Sequence, residues 1–223
     1  MPTALATPDG DARGGVVVVQ EAFGVTTHIE SICDRLAAAG YTAIAPAFFH
    51  RSGSPVLDYG DFEQVRPAMM SLTAGGIETD LDAAFAELSS RGFSDSATGI
   101  VGFCMGGSVT LFAATQWTLG AAVTFYGGGL AEGRFGFPSG LDIAPGLQTP
   151  WLGLYGDLDQ GIPIDEVEAL RRVVAEAPVD AEVVRYPDAG HGFNCNDRPD
   201  AYHEPSAKDA WQRTLDWFGA HLA

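Results

Sequence analysis

An apolar run, Ile100-Val101-Gly102-Phe103, ends in Cys104-Met105-Gly106-Gly107, and an alanine-rich segment follows. Few folds place Gly-x-Cys-x-Gly between a buried strand and a helix. The spacing predicts a nucleophile elbow, a strand that turns sharply into a helix with the central side chain exposed at the turn. Glycines are needed on both sides because the two elements approach closely and the central residue is strained. The next amide, that of Met105, then lies at the start of a helix, where the backbone dipole favours negative charge. A free cysteine is more often a small buried hydrophobe, so the rest of the chain has to decide between the two readings.

Buried-strand patterns recur along the sequence. Residues 16–19 are four valines, and residues 41–45, 98–103, 121–126, 151–155 and 182–186 are further apolar runs. Such runs mark strands covered on both faces. Between them lie helical patterns at residues 29–37, 78–88, 108–115 and 165–175, with a closing helix over 207–221. Residues 4–6 read as a short edge strand. Residues 58–72 read as an irregular helix interrupted by Pro67, and residues 130–148 as a long connection. Strands alternating with helices predict a mostly parallel, doubly wound α/β sheet. No repeat or linker divides the chain, so one domain over residues 1–223 is expected.

Composition bounds the function. A formal charge of −17 repels nucleic acid and anionic membranes. No stretch has the length of a membrane span and the N-terminus has no signal-peptide pattern, which predicts a cytoplasmic protein. Three cysteines, Cys33, Cys104 and Cys195, are an odd number without metal-ligand spacing, so neither a disulfide framework nor a metal site is expected. The expected partner is a small molecule, and the expected assembly a monomer or small homo-oligomer.

In a doubly wound sheet, ligands bind beyond the carboxyl ends of the strands. Four polar residues fall there: Glu21, Cys104, Asp157 and His191. Nucleophile, acid and histidine then occur in the chain order of α/β-hydrolases. His191 would take the thiol proton of Cys104, and an acid would hold the imidazole in the required tautomer. Asp157 follows its strand directly and is preferred for that role; Asp159, two residues on, competes. The amides of Ala22 and Met105 are the expected oxyanion donors. Glu21 could accept the thiol proton or tune it, or simply favour the dipole of the following helix.

Gln20-Glu21-Ala22-Phe23-Gly24, Gly102-Phe103-Cys104-Met105-Gly106-Gly107, Gly156-Asp157 and Ala189-Gly190-His191 together resemble the dienelactone hydrolase family over nearly the whole chain. The resemblance implies an α/β-hydrolase fold, a Cys104–Asp157–His191 triad, a glutamate at Glu21 that partners the thiol, and no cofactor. It implies opening of a dienelactone ring to maleylacetate. The family enzyme holds its substrate's carboxylate with arginines, one of them four residues after the histidine; here that position is Cys195. Arg51, Arg66 and Arg198 are the candidates to replace it, with Phe23 and Phe193 as candidate pocket walls. A broad carboxylesterase or thioesterase acting on neutral acyl esters is the alternative. A redox-sensing thiol protein is a third reading, but it has no use for an acid and a histidine in hydrolase order.

Overall fold

The computed structural model describes residues 3–223. In chain order it comprises β1 (Thr3–Ala6), β2 (Gly15–Val19), α1 (Thr27–Ala38), β3 (Thr42–Pro46), α2 (Phe62–Met70), α3 (Ala74–Ser90) and β4 (Thr98–Phe103). There follow α4 (Met105–Gln116), β5 (Ala121–Phe125), a one-turn α5 (Gly140–Ile143), β6 (Trp151–Gly156), α6 (Ile164–Val174), β7 (Ala181–Tyr186) and α7 (Glu204–His221).

The strands form one seven-stranded sheet in the order β1-β3-β2-β4-β5-β6-β7. Among the described residues only β1 is antiparallel, pairing Leu5 with Ile44 of β3. The other pairings are parallel, as expected from the apolar runs. Every residue of β2, β3, β4, β5 and β6 is buried, because helices cover both faces. The sequence thus reads correctly as a doubly wound α/β protein.

Helix ends differ by up to four residues from the sequence reading; α4 and α7 each start three residues earlier than expected. α3 starts four residues before the expected 78–88 span. Thr73 caps it through its side-chain oxygen, which accepts from the Gly76 amide at 3.2 Å, and this offsets the poor helix propensity of Gly75 and Gly76. α2 carries Pro67 at its sixth residue, where it leaves one helical hydrogen bond unmade and does not stop the helix.

The strand order sets the position of the chemistry. β2 and β4 are central neighbours in register, with Val19 opposite Gly102. The loops leaving β2, β4, β5 and β6 therefore open on the same edge of the sheet.

Candidate active site

Cys104 sits between β4 and α4 with φ 56° and ψ −113°, a backbone conformation costly for any residue with a side chain. Its amide donates to Phe125 O at 3.1 Å, and its carbonyl accepts from Gly107 at 3.0 Å and Ser108 at 3.3 Å. Those three bonds hold the turn. The glycines are obligatory: a Cβ on Gly102 would collide with the Gly106 carbonyl, and one on Gly106 with the Val19 carbonyl. Cys104 is half-buried while Met105 beside it is fully buried, so the elbow presents its thiol and hides the next side chain.

His191 lies in the loop after β7. Its Nδ1 is 2.6 Å from Oδ2 of Asp159, whose side chain is 2% exposed. The other carboxylate oxygen of Asp159 accepts the Gly161 amide at 2.8 Å. Burial disfavours the imidazolium, but the negative charge at Cys104 outweighs it together with the hydrogen bonds to Asp159 and Cys104. The pKa of His191 is held up to about 10. His191 thus lies between Cys104 and Asp159, hydrogen-bonded to both.

The expectation for Asp157 is corrected here. Both of its oxygens are taken by Arg185, at 2.7 Å from Nε and 2.7 Å from Nη2, and Arg185 Nη1 reaches Glu168 at 2.6 Å. Strand alternation is the cause. Tyr155 is in register with Arg185, and the pairing runs on to Gly156 and Tyr186, with the Asp157 amide donating to the Tyr186 carbonyl at 2.9 Å. Asp157 therefore projects to the same face as Arg185. Asp159 lies beyond the last strand pair, in the turn where its amide donates to Gly156 O, and it is this carboxylate that meets the histidine. The signal for this was present in the sequence, as an arginine at the facing position of the neighbouring strand.

Glu21 is fully buried. Its Oε1 accepts from the Tyr126 hydroxyl at 3.3 Å, and its Oε2 has no partner among the described residues. Burial raises its pKa, opposed by the charges of Arg198 and His191 and by the bond from Tyr126. The amides of Ala22 and Met105 donate to no protein acceptor among the described residues. Tyr126, with its ring 5.1 Å from that of His191, ties this carboxyl to the histidine side of the site. His28 of α1 adds a brace, its Nδ1 3.3 Å from Oδ1 of Asn196 in the His191 loop. Neither Tyr126 nor His28 belongs to a motif that marks it in the sequence; Tyr126 ends the β5 apolar run and His28 lies on the buried face of α1.

The profile of the dienelactone hydrolase family matches residues 1–222. The chain belongs to that family. It is 44% identical over 230 residues to a protein of Salmonella typhimurium named as a candidate carboxymethylenebutenolidase, covering 99% of this chain and 83% of that one. A Methylorubrum extorquens protein of the same name is 39% identical over 226 residues, covering 98% and 76%. The crystal structure of a candidate dienelactone hydrolase from Klebsiella pneumoniae superposes with a TM-score of 0.89 at 41% identity, over 98% of this chain and 92% of that one. An esterase of Thermogutta terrifontis shares the fold, with a TM-score of 0.68 at 17% identity over 99% of this chain and 90% of that one.

The candidate substrate-binding residues of this dienelactone hydrolase family member do not all lie at the Cys104 site. Cys195 is buried and donates to the Tyr59 hydroxyl at 3.7 Å; burial pushes its thiol pKa up to about 11. Arg198 lies over the rings of Phe23 and Tyr59, at 5.5 and 5.6 Å, close enough to lower the pKa of Glu21. Phe23 therefore belongs to the surroundings of the site. Phe193 does not: it is fully buried among Phe125, Tyr126 and Tyr186. Arg51 is also outside the site, since Asp80 holds it in a fork at 2.7 and 2.9 Å, with His50 on the same carboxylate at 3.0 Å. Arg66 is exposed on α2 and lines a separate cavity. Among the described residues no cluster of three or more His, Cys, Asp and Glu could hold a metal ion, and no helix is long and apolar enough to cross a membrane.

Proposed function

We propose that the chain is a single-domain hydrolase of small-molecule carboxylic esters or lactones, of the carboxymethylenebutenolidase type, working through Cys104, His191 and Asp159. The observation that carries this reading is the 2.6 Å bond from His191 to a buried Asp159, beside a strained cysteine elbow. A protonated His191 next to Cys104 favours the thiolate, which is the nucleophilic form.

The thiolate attacks the acyl carbon, and the carbonyl π electrons move onto oxygen. The amides of Ala22 and Met105 receive that oxyanion, the second at the positive end of α4. Collapse breaks the bond to the leaving oxygen, which takes the proton from His191. Water then adds to the thioester as His191 removes its proton, and the acid departs with regeneration of the thiolate. Glu21, whose pKa is raised by burial, is the candidate to tune the ionisation of Cys104. The charge of −17 argues against nucleic acid and anionic membranes as partners.

A second reading is favoured by a specific observation. The position four residues after His191 is a buried thiol, and Arg51 is engaged by Asp80. That arrangement suits neutral acyl esters as well as a dienelactone held by Arg198. Hydrolysis of a dienelactone and of an uncharged short-chain aryl ester, by the parent and by Cys104→Ala, separates the cases. Loss of both activities in Cys104→Ala supports the mechanism, and full retention of either overturns it. The preferred substrate of the parent decides between the two readings.

A further inference from the structure

A cavity of about 530 Å³ opens between α2, the start of α3 and the connection that follows β5. Met69, Met70 and Phe135 give it an apolar floor; Arg66 and Arg134 stand at its rim, and no Asp or Glu lines it. Neither guanidinium has an ion pair, hydrogen bond or ring contact among the described residues. Most of the 12 basic residues do have such a partner, in a chain whose 29 acidic residues outnumber them.

Arg134 is also held in place. A Cβ on Gly128 would lie 2.8 Å from its Nη2 and one on Gly129 2.8 Å from its Cγ, so the arginine lies flat over two glycines that leave room for it. The preceding residue, Gly127, packs directly on Gly107 of the elbow helix: a Cβ on Gly127 would lie 2.6 Å from the Gly107 carbonyl carbon. The cavity is therefore joined to the Cys104 turn through a run of three glycines. Phe135 adopts φ 58° and Gly136 φ 87°. A bulky residue in the left-handed region is strained, and here that strain turns the ring edge-on to Phe137, 6.4 Å away, which stacks on Phe112.

We propose that this cavity binds a monocarboxylate with an apolar body, the carboxylate between Arg66 and Arg134 and the body on Met69, Met70 and Phe135. Planar guanidinium forks suit a carboxylate, and thioether side chains adapt to apolar groups of varied shape. Elsewhere the surface of so acidic a chain repels anions, which makes a rim with two unpaired cations and no carboxylate selective for one. The inference rests on the hydrolase reading only for the source of the ligand, which is the acid released by hydrolysis.

The test is direct binding of 2-naphthoate and its methyl ester to the Cys104→Ala protein, which does not turn the ester over if the mechanism above holds. Calorimetry is run on that background alone and with Arg66→Gln or Arg134→Gln, with unfolding curves to confirm that each variant is folded. The expected result is binding of the acid, weakened about tenfold by each substitution, and much weaker binding of the ester. No binding of the acid, equal binding of acid and ester, or affinity unchanged in both variants overturns the proposal. Kinetics of the parent and the arginine variants on a half-ester then test whether the cavity is apart from the catalytic site. A raised inhibition constant for naphthoate at constant KM supports a separate site for the released acid, and a raised KM overturns it. Failure of hydrolysis alone would leave the binding result standing, so the two readings fail separately.

Discussion

Replacing Asp159 by asparagine, with Asp157→Asn beside it, tests the catalytic assignment where sequence and structure disagree. Asp159 is 2% exposed and its bond to His191 Nδ1 is 2.6 Å. Asparagine keeps the shape and removes the charge. A charge-assisted bond of this kind contributes about 1.5–3 kcal/mol, which corresponds to roughly 10- to 150-fold. Its amide can also donate to Nδ1 and force the opposite tautomer, so that Nε2 no longer accepts a proton. Together the two effects place the loss in kcat/KM at about 10²- to 10⁴-fold. Asp157→Asn disturbs instead the fork with Arg185, whose side chain is 26% exposed. It is expected to lower stability by about 1 kcal/mol and to change activity less than about threefold. The assay is kcat/KM on an aryl ester, with urea unfolding of each variant as the check on folding. Near-normal turnover by a folded Asp159→Asn, or collapse of activity in a folded Asp157→Asn, refutes the reasoning.

Three further outcomes follow from the same geometry. Because the pKa of His191 is held up to about 10, kcat/KM should keep a basic limb near that pH, and the limb should move to lower pH in Asp159→Asn. Since the folded value lies above the ordinary 6.5, the stability from this group is fully present below pH 6.5 and is lost as pH rises through 10; a stability profile flat over that range would contradict it. Glu21 also has a raised pKa, so its stabilisation is present below pH 4.5 and fades above it. Glu21→Gln should therefore lose activity yet unfold at higher urea than the parent, by a margin that grows from pH 5 to pH 8, and a constant margin would speak against the buried carboxyl. Arg51→Ala strips the fork from Asp80, which is 5% exposed, and should cost about 1–2 kcal/mol in urea unfolding without altering KM for a carboxylate-bearing ester; a selective rise in that KM would return Arg51 to the site.

Much of this was legible in the sequence because it depends on local rules. Continuous apolar runs can only be strands covered on both faces, and they specified β2 to β6. Gly-x-Cys-x-Gly specified the elbow, because only glycine fits where a Cβ would meet the Gly106 or Val19 carbonyl. Chain order alone brought Glu21, Cys104 and His191 to one edge of the sheet. Three decisions belonged to the tertiary structure. Which aspartate serves His191 depends on the strand pairing of β6 with β7, since that register hands Asp157 to Arg185 and leaves Asp159 free beyond the last pair. Which arginines are available depends on partners far along the chain: Asp80 removes Arg51, and the rings of Phe23 and Tyr59 hold Arg198. Phe193, adjacent in sequence to the histidine loop, turns into the core because Phe125, Tyr126 and Tyr186 close around it. Local sequence fixes where a backbone turns and which residues reach the catalytic edge. The pairing of a charged group is set by whichever opposite charge the packed chain brings within about 3 Å, and that distance is a property of the whole fold.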